Sequence, residues 1–202
     1  MLFDWSAECS ADDPVLVVPW SDPGNPSVHF VDLREDPYEL DHIPEAEQHP
    51  PLLQALRALN APRSAVFTAK CDAWPLDPAC DREQIDALAL ELDLVSATPH
   101  HGFVSYIDLL WRDRSLFTSF HQHEHLVHRI ARRAAPLDHP AALLECVIRP
   151  AMVDLSGPQE GFALSFYVKA IGSAPLLAQQ AWGAALDAAV AILRSKDLTP
   201  NT

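Results

Sequence analysis

Apolar and polar positions follow their most regular pattern in the second half of the chain. "GFVSYIDLLW" at 102–111 and "AALLECVIRPAMVDL" at 141–155 are long runs rich in aromatic and aliphatic residues, and each reads as a strand. "SGPQEG" carries strong turn chemistry. "GFALSFYVKAIG" returns behind it, so the pattern predicts a β-hairpin. Between the first two strands the period changes. Leu116, Phe120, His123, Val127, Ile130 and Ala134 step by fours and threes, the spacing of one helical stripe, with Asp113 or Ser115 as its cap. That stripe predicts a helix facing a sheet, with His123 in the middle of its apolar side. "SAPLLAQQAWGAALDAAVAILRSKD" is a second helix with Pro175 near its first turn. Its polar residues, Gln179, Gln180, Asp187 and Arg194, fall on one narrow arc, which predicts a helix heavily buried against a sheet.

The first half is more broken. "VLVV" at 15–18 and "VHFVDL" at 28–33 are short β-like runs, separated by the turn-rich "PWSDPGNP". "PPLLQALRALNAP" predicts a helix from 50 to 60, opened by its prolines, with Asn60 at its C′ position and Pro62 beyond it. "SAVFTAKCDAW" at 64–74 reads as a strand. "DREQIDALALELDLV" reads as a helix with Asp81 and Gln84 as a capping box.

From residue 101 the order is β-α-β-β-α. That is a ferredoxin-like βαββαβ unit over 101–196 without its last strand, a gap that the strand at 64–72 or a partner chain would fill. The expectation is one α+β domain over 1–202, with a mainly antiparallel sheet and helices on one face. Its acidic, proline-rich part, 1–62, packs on a core formed by 63–196.

Composition adds a charge asymmetry. The chain has 202 residues, 49% hydrophobic and 21% charged, enough to bury a core. The formal net charge is -14, and residues 1–100 hold all of that excess. Residues 101–202 are balanced. A negative field repels phosphate backbones, so nucleic acid is not expected as a partner; the acids either keep the chain soluble or receive a basic protein docking on the first half. "MLFDWSAECSADD" has no basic start followed by an apolar run, and no stretch reads as a membrane span. Four scattered cysteines, Cys9, Cys71, Cys80 and Cys146, fit a reducing compartment, so a cytoplasmic protein is expected. The eight residues between Cys71 and Cys80 do not match a CxxC spacing.

Two places offer chemistry. The first is "HQHEHLVH" at 121–128. His121 and His125 stand one turn apart, the spacing by which a helix offers two imidazoles to one ion, and His128 continues their stripe. His121 and His128 lie about 10 Å apart along the axis at 1.5 Å per residue, so one ion takes two of the three. A further ligand would come from His100, His101 or an acid of the first half. The ion expected would be a divalent transition metal. The second place is a polar sheet face. Thr68, Lys70 and Asp72 share one side of their strand, Glu145 and Arg149 one side of theirs, and Ser165, Tyr167 and Lys169 one side of the next. If those sides coincide, Lys70, Glu145, Arg149, Tyr167 and Lys169 form a ligand or partner face, or a face that the acidic first half folds over and pairs with.

The chain carries no GxSxG elbow, no glycine-rich phosphate loop and no HExxH. The reading is therefore a binding or interaction module, homodimeric through a sheet edge or the face of the buried helix. The competing reading is a metal-dependent enzyme or metal-binding protein centred on His121, His125 and His128.

Overall fold

The long alternating runs do become strands, and they pair in one sheet. The computed structural model describes residues 1–95, 99–195 and 198, with Pro26 and Ser27 described in backbone alone. Strands β1 (Leu2–Ala7), β2 (Leu16–Val18), β5 (Val66–Leu76), β6 (His101–Trp111), β7 (Ala142–Asp154) and β8 (Pro158–Gly172) form a sheet ordered β1-β7-β8-β6-β5. β2 lies on the same edge as β1, further along β7. Both pair with β7 in parallel, whereas the other pairings are antiparallel. The fold is thus mixed α+β with a mostly antiparallel sheet. Strands β3 (Ser21–Asp22) and β4 (Asn25–His29) make a separate small hairpin.

The remaining elements are a 3-10 turn at Pro37–His42 and helices α1 (Pro44–Gln48), α2 (Pro50–Asn60), α3 (Arg82–Glu91), α4 (Arg114–Phe117), α5 (Phe120–Ala134) and α6 (Pro175–Leu193). Helices α2, α5 and α6 cover one face of the sheet. On that face Trp182 of α6 is fully buried and its indole Nε1 donates to Ser105 Oγ of β6 at 2.8 Å. Two polar groups that burial would penalise thereby satisfy each other. Gly183 lets α2 approach α6, because a Cβ there would stand 3.1 Å from Pro51 Cγ. Among the described residues α6 alone has the length and apolarity of a membrane span. Its apolar side packs on β8 and β6.

Several expectations need correction. The helices do not all lie on one face. Ile85 and Leu88 of α3 pack on Leu76, Val104, Leu143 and Ile171, residues on the side of the sheet away from α6. The reason is that β6 and β8 are apolar on both sides at this end, so a second cover is required. Asp113 does not cap the histidine helix. It caps the single turn α4, accepting from the backbone N–H of Ser115 and Leu116, and Ser119 caps α5 by accepting from Gln122 N. Asp81 precedes α3 without capping it, because its carboxylate accepts instead from Asp77 N. Asn60 is the last residue of α2, not its C′ position. The run 28–33 is a strand only to His29. The short strand β1 has no counterpart in the sequence reading. The end of the predicted last helix, Lys196 and Asp197, lies outside the described residues.

The core stripe of α5 matches its periodicity. Val127, Ile130 and Ala134 are fully buried, and His123 is 1% exposed. The His123 ring donates from Nδ1 to Ser119 O at 3.0 Å, which orients the imidazole inside the apolar layer.

Candidate functional site

The side of the sheet away from α6 and α5 is polar in a band between two covers. One cover is α3. The other is the chain from Leu16 to Arg34, which crosses the opposite end of the same face. The band follows from register. Tyr106 stands opposite Asp72 on one side and Tyr167 on the other, and Asp108 stands opposite Lys70 and Ser165. Glu145 faces Tyr167, and Lys169 and Arg149 continue the same side. Lys70, Glu145, Arg149, Tyr167 and Lys169 therefore do share one face.

Thr68 does not belong to it. Ala69 is an extra residue in β5, so Thr68 pairs with Leu109 while Lys70 pairs with Asp108. A bulge of this kind reverses the facing of everything beyond it. Thr68 turns to α2, where Asn60 holds it. Asn60 Nδ2 donates to Thr68 Oγ1 at 2.8 Å, and Thr68 N donates to Asn60 Oδ1 at 3.0 Å.

Within the band most charges pair. Lys169 forms an ion pair with Glu145. Arg149 Nε lies 3.0 Å from Glu8 Oε2, and its Nη2 donates to Tyr167 Oη at 3.3 Å. Glu8 thus brings part of the acidic first half onto this face. Such partly exposed pairs contribute up to about 1 kcal/mol each and act mainly to position groups. The Tyr106 and Tyr167 rings lie 5.8 Å apart. Asp108 is buried, and Ser165 Oγ donates to its Oδ1 at 2.5 Å. Burial pushes the Asp108 carboxyl above the usual carboxylate range, against the pull of Ser165, Arg149 and Lys70. Burial also raises the Tyr106 phenol, with Asp108 and Asp72 adding to the effect. Tyr106 and Asp108 were not singled out by the sequence reading. Their i, i+2 spacing in "GFVSYIDLLW" was the available signal.

The band opens at β5 into a groove of about 1020 Å³. β5 is the last strand of the sheet on this side. Side chains occupy part of its outer edge: Trp20 Nε1 donates to Ala69 O at 2.8 Å, and the Lys70 ammonium sits 5.4 Å from the Trp20 ring. Val15, Val17 and Val28 line the groove and are 51%, 46% and 40% exposed. Asp22, Glu45 and Asp72 line it as acids, and Lys70 is the one lysine or arginine among the described lining residues. Cys71 also lines it. Burial, aided by Glu45, Asp72 and Asp108, pushes its thiol up to about 12, so it is a thiol at neutral pH and a poor nucleophile. All four cysteines are free.

The three candidate metal ligands separate. His121 and His125 meet, with their Nε2 atoms 2.9 Å apart, and Glu124 Oε2 lies 3.4 Å from His121 Nδ1. His128 instead lies edge-on to Trp5 of β1, with centroids 5.3 Å apart. Its place in the helical stripe is as expected, but β1 packs against α5 and takes its ring. Among the described residues no group of three or more His, Cys, Asp or Glu side chains is placed to hold a metal ion. His100, named as a further ligand, binds Leu94 O through Nε2 at 2.8 Å.

Comparison of the chain with protein-family models, with curated proteins and with solved structures gives no match.

Proposed function

We propose that this chain is a binding module, and that the groove beside β5 takes an extended segment of a protein partner carrying basic and aliphatic residues. The observation that carries this reading is the groove's lining. Exposed valines stand beside Asp22, Glu45 and Asp72, and the walls come largely from the acidic first half. Solvent-exposed aliphatic side chains gathered in one concavity are the mark of an interaction site, and the acid excess selects a basic occupant. An outer strand offers an extended segment a straight track to lie against. The internal pairing of Lys169 with Glu145 and Arg149 with Glu8 supports a structural role for the band behind the groove.

A ferredoxin-like arrangement of the second half belongs to the same proposal. The order β7-β8-β6-β5, with β5 antiparallel to β6 in the place of the missing last strand, supports it. That arrangement supplies the groove with its flat wall.

Selection from a displayed library of extended peptides tests the reading. Enriched peptides should alternate Lys or Arg with Val, Leu or Ile. Their affinity should fall by about tenfold or more, the equivalent of about 1.4 kcal/mol, in Val17→Asp and in Asp72→Lys. It should also fall with added salt. Equal binding to both variants and wild type, or no enrichment, would refute the proposal. Pairing of two copies through β5, seen as a dimer that peptides do not dissociate, would assign the groove to self-association instead.

A further inference from the structure

We propose that a second pocket, where β6 ends and β7 turns into β8, binds a small phosphate monoester. The pocket encloses about 300 Å³. Arg34, Arg112 and Arg114 line it together with Trp111, Ser156 and Gln159, and none of its described lining residues is acidic. That is a pronounced local reversal in a chain with 28 acids and 14 lysines and arginines.

Two of the guanidinium groups are held in place. Arg34 donates from Nε and Nη2 to the two carboxylate oxygens of Asp32, at 2.8 and 2.6 Å, and lies 4.0 Å over the Phe67 ring. Arg112 donates from Nε to Val66 O at 3.2 Å and from Nη2 to Asn60 O at 3.1 Å. Neither carbonyl cancels its charge. Arg114, on α4, is exposed, and among the described residues its side chain has no bonded acid. The nearby Asp113 carboxylate is committed to capping α4. Two guanidinium charges are therefore left without a bonded carboxylate among the described residues. Burial and then the neighbouring Arg34 hold Arg112 below its ordinary value, with the Asp32 carboxylate opposing them, so the two cations work against each other as they stand.

Trp111 also lines the pocket, but its ring packs against His123 of α5, with centroids 6.2 Å apart, and its indole Nε1 is buried. The donors that the pocket offers are therefore the guanidinium groups, and what completes the lining is an acceptor-rich anion. A phosphate monoester carries about -1.5 to -2 charges and three acceptor oxygens, which matches two unpaired guanidinium groups better than a single carboxylate does. The volume is at the small end of ligand sites, enough for a phosphoryl group on a small body. This site shares no lining residue with the groove.

The test is titration of the full chain with phenyl phosphate, inorganic phosphate and succinate, followed by calorimetry and by the Trp111 indole N–H resonance. Ionic strength is held constant with sodium chloride. Saturable binding of phenyl phosphate is expected, with the Trp111 resonance shifting. Affinity should fall about tenfold in Arg114→Gln, the equivalent of one charge-assisted hydrogen bond. Arg114 is exposed, so this variant keeps the fold, and Arg112→Lys is the second variant. Binding that does not saturate, that ignores Arg114→Gln, or that prefers succinate to phosphate would overturn the proposal.

Discussion

Ser165 Oγ of β8 donates a 2.5 Å hydrogen bond to the buried Asp108 carboxylate of β6, directly across the ladder. The bond pulls the carboxyl toward its charged form, and burial pushes it the other way more strongly. The sign for stability follows. A carboxyl whose folded value lies above its unfolded 3.8 stabilises the fold at low pH, and that contribution is lost as pH rises through the folded value. At neutral pH the charge is a net cost. Asp108→Asn, which keeps an acceptor for Ser165, should raise the urea midpoint at pH 7. The advantage should shrink as pH falls toward 4. A variant less stable than wild type by the same margin at every pH would show that Lys70 and Arg149 outweigh burial.

His123 gives the opposite pH limb. Burial holds its imidazole below the usual 6.5, with Ser119 O and the backbone at Phe162 pulling upward. The folded state therefore carries a neutral ring. The stability this represents is present above pH 6.5 and is lost as pH falls from there through the lower folded value. His123→Gln should flatten the fall in urea midpoint between pH 7 and pH 5. An unchanged slope would place that proton uptake elsewhere.

Asn60 and Thr68 form the joint between α2 and β5. Asn60→Ala removes both partners of Thr68 and the Asn60 bond to Leu56 O. Leaving one buried donor, Thr68 N, and the buried acceptors Thr68 Oγ1 and Leu56 O without these bonds should cost about 2–4 kcal/mol. Because the joint sits beside the bulge, amide exchange at Thr68 to Lys70 should quicken more than exchange at β7. Protection lost evenly across the sheet would mean that the joint does not act locally.

The second half was legible because periodicity is a local property. Alternation over 102–111, 141–155 and 161–172 and the stripe from Leu116 to Ala134 each record burial of one side, and each element formed within a few residues of its expected ends, with Leu116 falling in the separate turn α4. The same rule placed Glu145 with Arg149, and Tyr167 with Lys169, on one side of their strands, and it put His123 on the apolar face of its helix, where it is buried.

What the chain order could not carry was decided by packing between distant segments. The Ala69 bulge, which turns Thr68 away from Lys70, depends on Asn60 reaching across from α2. The placing of α3 on the far face depends on Val104, Leu143 and Ile171, from three different strands, presenting one apolar patch. β1, too short and exposed to stand out, becomes a strand because the β7 edge supplies its partners, and its Trp5 then takes the His128 ring away from His121 and His125. Local spacing set which side each residue faced. Hydrogen-bond register and the burial of apolar surface between segments far apart in sequence decided which sides met, and with them where the groove and the arginine pocket lie.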